Sequence, residues 1–166
     1  MDYSDSLEWF MLEYPRHKEM REYVTSLNRF YLASKQLWEI DFSEDGFRWI
    51  NADDADGNTV SFRRIAIDGS ELLVFVSFSG DYNRGVRAQV DGAVYENAFD
   101  SLGDGAYAGE YRATEEGTEM TETGEVKKVY RLLLDMPPMS AIVLRKKEGK
   151  GGASFRKGNL KQPNNK

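Results

Sequence analysis

The chain has no cysteine, which excludes disulfides, zinc–thiolate sites and a cysteine nucleophile by count and leaves nothing to argue for an oxidising compartment. It has a single histidine, His17. A general base or a metal ligand would require partner residues that the sequence does not place near it, so His17 is read as structural. No uninterrupted apolar stretch approaches the roughly 20 residues that span a bilayer. The opening Met1-Asp2-Tyr3-Ser4-Asp5-Ser6 lacks the basic region and apolar run of a signal peptide. The expected location is therefore the cytoplasm, with no membrane partner. Basic residues are scarce outside the tail: residues 145–166 hold eight Lys or Arg against one Glu, net +7, which leaves −13 of the overall −6 on residues 1–144. An acidic folded part excludes a nucleic-acid partner for the core, since phosphate binding needs clustered Lys and Arg.

What the chain does have is apolar material. At 166 residues, 40% hydrophobic and 13% aromatic, it has the size of one domain, able to bury about two-thirds of the surface its unfolded chain exposes. The organising stretch is Phe47 to Arg64. Phe47, Trp49 and Asn51 alternate with Arg48, Ile50 and Ala52, and Val60 and Phe62 alternate with Ser61 and Arg63. A period of two places each set on one face, which predicts a half-buried β-hairpin. Its turn, Asp53 to Asn58, ends in Asp56-Gly57-Asn58, residues that tolerate positive φ. Asp54, Asp56 and Gly57 occupy the third, fifth and sixth places of an EF-hand count, but the first place is Ala52 and the twelfth is Arg63 where a bidentate Glu is needed. The loop is read as a solvated turn, and no metal is assigned.

Upstream, residues 1–14 are rich in apolar and aromatic side chains, with Trp9, Phe10 and Met11 at their centre. Pro15 suits a first helical turn. From Arg16 to about Ala33, Met20, Tyr23, Val24, Leu27, Phe30 and Tyr31 recur at three- and four-residue steps, the pattern of an amphipathic helix. After Trp38 the chain turns to short strand-like runs between turn residues, as in a mainly β fold, an antiparallel β-sandwich. Leu72 to Phe78 is apolar on both faces, as a central strand is. Val86 to Val90 reads as a half-exposed strand that Asp91-Gly92 turns toward Val94 to Ala98. Residues 99–125, with five glycines among Glu and Thr, read as a long flexible connection with one weak strand near Tyr111 to Thr114. Having no Lys and no following helix, they are not a phosphate-binding loop. Val126 to Met136 and Ser140 to Leu144 are the last strands, and the tail from Gly149 reads as disordered.

Several of these segments together resemble the C-terminal region of 1,4-α-glucan (glycogen) branching enzymes of the α-amylase superfamily. They are Ser6-Leu7-Glu8-Trp9-Phe10-Met11-Leu12-Glu13-Tyr14-Pro15 with His17 nearby, Leu27-Asn28-Arg29-Phe30-Tyr31, Leu37-Trp38-Glu39-Ile40-Asp41-Phe42, Gly46-Phe47-Arg48-Trp49-Ile50, Asp53-Asp54, Val60-Ser61-Phe62-Arg63-Arg64 and Leu134-Asp135-Met136-Pro137-Pro138-Met139-Ser140-Ala141-Ile142-Val143-Leu144.

The resemblance spans nearly the whole chain. It implies the end of a catalytic barrel over residues 1–34, a Greek-key C-terminal β-sandwich over 35–146 and a basic tail over 147–166. It further implies that the catalytic carboxylates lie on barrel strands before Met1, so no catalytic, cofactor-binding or metal-binding residue is assigned and no cofactor is expected. Retaining glycosyl transfer needs two carboxylates about 5 Å apart in a dry pocket, and no motif here would bury and pair two of the 28 acidic residues. The implied partners are the barrel of the parent enzyme and, as an added surface, α-glucan. Two alternatives stay open, a freestanding carbohydrate-binding sandwich and a scaffold module. Trp38, Trp49 and Tyr82 are the candidate sugar-stacking rings, each reading first as core. The apolar leader is expected either to fold onto the sandwich or to mediate self-association.

Overall fold

Five consecutive apolar residues in β3, Leu72 to Val76, demand cover on both faces of a strand, and the architecture supplies a different cover for each. The computed structural model describes residues 8–103 and 107–147. One helix, α1 (Pro15–Ala33), precedes nine strands: β1 (Phe47–Asp54), β2 (Thr59–Ile65), β3 (Glu71–Ser77), β4 (Asn83–Val90), β5 (Val94–Asp100), β6 (Glu110–Arg112), β7 (Thr114–Met120), β8 (Val126–Met136) and β9 (Ala141–Lys146). They form two antiparallel sheets, a large one in the order β1-β2-β3-β9-β5-β6 and a small one in the order β4-β8-β7. The last strand returns to lie between β3 and β5, the long return of a Greek key.

Between the sheets lies the core. From the large sheet come Leu73 and Phe75 of β3, Tyr95 of β5 and Ile142 and Leu144 of β9; from the small sheet come Ala88 and Val90 of β4 and Leu132, Leu134 and Met136 of β8. On the outer face of the large sheet one row of cross-strand partners runs Trp49–Phe62–Val74–Val143–Phe99. The helix covers part of this row: Phe30 of α1 stacks on Phe99. The hairpin therefore has its apolar side turned away from the inter-sheet core. Thr59 and Ser61 are the buried side chains of β2, while Phe62 faces out.

The hairpin itself follows the sequence pattern, with Trp49 opposite Phe62 and Asp54 opposite Thr59, and Asn58 takes the positive φ, 49°. The acidic loop has an internal use: the Asp54 carboxylate accepts the Gly57 N–H at 3.1 Å and the Thr59 hydroxyl, closing the turn. Just before β1, Gly46 is buried where a Cβ would lie 2.3 Å from the Ile40 carbonyl oxygen, so only glycine fits.

Two expectations are corrected. Asp91-Gly92 does not close a hairpin, because β4 pairs with β8 in the small sheet and β5 with β9 and β6 in the large one. The turn carries the chain across the sandwich. Within 99–125, the segment Thr114–Met120 is a strand along the edge of the small sheet rather than a flexible connection. Its Glu115 and Glu116 pair with Lys128 and Arg131 of β8 at 2.8 and 2.5 Å. The expectations for the first seven residues and for the basic tail from Gly149 lie outside the described residues. Among those described, no helix is long and apolar enough to cross a membrane.

Candidate functional site: the helix platform on the large sheet

Thirteen residues, 34–46, connect α1 to β1, and contacts from β2 and the β2–β3 turn tie down Lys35, Gln36, Leu37, Glu39 and Asp41 among them. Arg64 of β2, nearly buried, donates to the Leu37 carbonyl at 3.0 Å and to the Gln36 carbonyl at 3.4 Å, and pairs with the Asp41 carboxylate. Lys35 reaches Asp68 at 2.5 Å and the Gln36 amide donates to the Ser70 hydroxyl at 2.9 Å. Glu39 accepts the Ile67 N–H at 2.9 Å. The Lys35 ammonium, with the hydroxyl and N–H of Ser70, holds the Asp68 carboxyl well below the usual carboxylate range, and Asp68 in turn raises Lys35. Exposed ion pairs add little stability singly. Here their geometry matters more, because all of them fix the angle at which α1 leaves the β2–β3 side of the sheet.

The helix begins with Pro15 at its first position, as expected, and ends at Ala33, yet none of its nineteen residues is buried. Its inner edge and the outer row of the large sheet enclose a groove of about 460 Å³ lined chiefly by Leu27, Phe30, Tyr31, Phe62, Val74, Phe99 and Val143, with Arg64 and Asp41 at one end. Met20 and Val24, with Leu27 and Tyr31 at the open rim of that groove, stay exposed in one stripe at the spacing of a helix face. The leader extends this surface. Trp9 and Phe10 are exposed, and Phe10 packs edge-on against Tyr14 with ring centroids 6.3 Å apart. The leader's described part thus packs at the helix start, the arrangement that leaves its aromatic rings exposed. His17 is exposed and tilts against Tyr14. Among the described residues no three of His, Cys, Asp and Glu are grouped to hold a metal.

The three candidate stacking rings are not core. Trp38 is 45%, Trp49 58% and Tyr82 53% exposed, because each lies where only one side is covered. They do not converge. Trp49 sits in an aromatic group with Phe47, 4.9 Å away, and Phe62, 5.9 Å away. Trp38 caps the turn after α1, and Tyr82 precedes β4, where it lines a separate cavity with Tyr111 and Asp135. The sequence reading missed Arg64 as the anchor of the junction, and missed the outer row that ends in Phe99. The two-sided apolarity of β3 was the available signal for that row, since it required a second layer over the large sheet.

These features can be set beside known proteins. A family model described as "Alpha amylase, C-terminal all-beta domain" matches residues 49–147. The chain is similar to 1,4-alpha-glucan branching enzymes GlgB: 31% identical to that of Nitrosomonas eutropha over 141 residues, covering 83% of this chain and 19% of that protein. With the Clostridium perfringens enzyme it shares 32% over 153 residues, 86% of this chain and 22% of that protein. With that of Thermobifida fusca it shares 46% over 74 residues, 45% and 10% respectively. The chain thus spans about a fifth of the length of the relatives it matches along most of its own, and the similarity reaches beyond the β-domain that the family model describes. Sheet architecture and both kinds of match agree that the chain belongs to the alpha-amylase C-terminal all-beta domain family, as the C-terminal region of a GlgB-type protein.

Proposed function

We propose that this chain is the non-catalytic C-terminal part of a cytoplasmic glycogen branching enzyme, a glycosyltransferase. The parent cleaves an α-1,4-glucan, holds the freed segment as a covalent glycosyl-enzyme and passes it to a 6-hydroxyl of another glucan chain. Two carboxylates in the barrel perform this, one as nucleophile and one as acid/base, and no cofactor takes part. In this division residues 1–34 close the barrel, 35–146 form the sandwich that braces it and 147–166 are a tail.

One observation carries the reading: α1 is pinned to the sandwich through Arg64, Gln36 and Lys35 and yet buries none of its residues. A helix held in a fixed pose with Met20 and Val24 bare and Leu27 and Tyr31 only partly covered is suited to a partner surface that the sandwich itself does not provide. At roughly 25 cal/mol per Å² of apolar area, covering such a stripe is worth several kcal/mol. The sandwich's part is mechanical, setting that helix at a constant angle.

The test is the chain alone with amylose. Iodine staining is expected to stay constant, with no α-1,6 linkage formed; branching by the isolated chain would overturn the assignment of catalysis to the barrel.

A further inference from the structure

Five Asp-Gly steps occur in the chain, and four of them, Asp45-Gly46, Asp56-Gly57, Asp68-Gly69 and Asp91-Gly92, lie within the described residues. Such a step can cyclise, because glycine has no Cβ to keep the aspartate side chain off the next amide nitrogen. What decides is how that nitrogen and the carboxyl beside it are held. Three of the glycine N–H groups are engaged: Gly46 donates to the Ser43 carbonyl at 3.0 Å, Gly57 to the Asp54 carboxylate at 3.1 Å and Gly69 to the Ala66 carbonyl at 2.9 Å. The Gly92 N–H meets no acceptor among the described residues.

The aspartate before it is held as loosely. Its side chain is half-exposed and faces Arg63 and Lys146 at 3.8 Å each, beyond hydrogen-bond distance. The peptide group that joins the two residues is polarised. Its oxygen, the Asp91 carbonyl, accepts the Ala93 N–H at 2.8 Å and the Tyr95 hydroxyl at 3.3 Å. Both donors draw electron density toward that oxygen and make the Gly92 N–H of the same peptide more acidic. A larger residue cannot shield the step, since a Cβ on Gly92 would lie 2.6 Å from the Tyr130 ring.

We infer that Asp91-Gly92 is a site of spontaneous covalent modification, which closes to a succinimide and opens to isoaspartate. The Gly92 nitrogen attacks Cγ of Asp91 in its protonated form. The N–Cγ bond forms, the C–OH bond breaks, and the hydroxyl leaves as water with the amide proton. A water molecule then opens the ring. Attack at Cγ restores aspartate. Attack at the Asp91 carbonyl carbon, the one polarised by Ala93 and Tyr95, breaks its bond to nitrogen and leaves the chain linked through Cγ with a free α-carboxylate. The main chain gains one methylene where it crosses between the sheets, and the Tyr95 hydroxyl loses its carbonyl acceptor. Water is the only co-reactant, and the chemistry is independent of any role in glucan branching.

The experiment ages the folded 166-residue chain near neutral pH at physiological temperature. Its peptides are then mapped by mass spectrometry with electron-transfer fragmentation, which separates isoaspartate from aspartate. Isoaspartate is expected at residue 91, preceded by a form short of one water, several times faster than at Asp45, Asp56 or Asp68. Asp91→Asn should convert faster still, because it releases ammonia instead of water. In urea the four steps should level, since the hydrogen bonds that separate them go with the fold. Near-ultraviolet circular dichroism confirms that the aged chain and the variant are folded. A folded chain that gains no isoaspartate at residue 91, one whose other three steps convert as fast, or an unchanged ranking in urea would overturn the inference.

Discussion

Phe30 of α1 lies stacked on Phe99 of β5, ring centroids 5.0 Å apart and planes 21° from parallel, and this contact joins helix to sheet at the far side from the Arg64 anchor. Tyr23 reaches the same ring at 6.1 Å. Aromatic pairs of this kind are worth about 0.5–1.5 kcal/mol beyond the area they bury. Phe99→Ala is therefore expected to cost about 1–3 kcal/mol, concentrated in the helix. Hydrogen exchange should show the α1 amides losing protection while those of β3 and β9 keep theirs; uniform loss across both sheets would contradict it.

Arg64 makes the opposite attachment. Replacing it with Met keeps the apolar stem and removes the donors that satisfy the Leu37 and Gln36 carbonyls. A loss of about 1–3 kcal/mol in urea unfolding is expected, together with faster exchange in residues 34–41. Arg64→Lys should recover only part of this, since a point charge cannot serve two carbonyls and Asp41 at once. Full recovery by Lys would mean that charge alone, and not the forked geometry, fixes the junction.

Much of this was legible in the alternation of side chains. The limits of α1 and β8, the hairpin and the two-sided β3 follow from period and turn chemistry alone. What was hidden shares one cause, that the deciding partner is distant in sequence. Thr114–Met120 is wholly exposed and gives no apolar signal; its strand character comes from backbone pairing with β8, along which Glu115 and Glu116 reach Lys128 and Arg131 diagonally. Asp91-Gly92 reads alike for a hairpin and for a crossing between sheets. The cavity beside Tyr82 needs Asp135, fifty residues from the Gly85 it orients, and no spacing rule joins them.

Tyr95 is fully buried at the centre of the core. Its phenol is pushed up to about 12 by burial and then by the negative charges of Glu71 and Asp91. The folded state therefore holds this proton more tightly than the unfolded chain, whose tyrosine ionises near pH 10. The resulting stability is fully present below about pH 10 and is lost as pH rises toward 12. The thermal midpoint should fall across that window, and less steeply in Tyr95→Phe. An identical slope in the variant would show that other groups govern alkaline unfolding.

The bare helix stripe predicts association of the isolated chain. Met20→Glu with Val24→Glu places charge on exposed positions, so stability should shift by no more than about 0.5 kcal/mol. Sedimentation velocity should show the wild-type chain self-associating at high concentration and the double variant monomeric. A monomeric wild type would mean the stripe lacks the affinity assigned to it.

The most direct measurement is branching by a hybrid in which this chain replaces the matching C-terminal region of the Nitrosomonas eutropha enzyme. The hybrid is expected to form α-1,6 linkages in amylose, and the Met20→Glu, Val24→Glu pair placed in it should lower that activity or the thermal midpoint of the whole enzyme. A folded hybrid that leaves amylose unbranched, or one indifferent to charges on the helix stripe, would contradict the account of α1 as the surface on which the catalytic barrel rests.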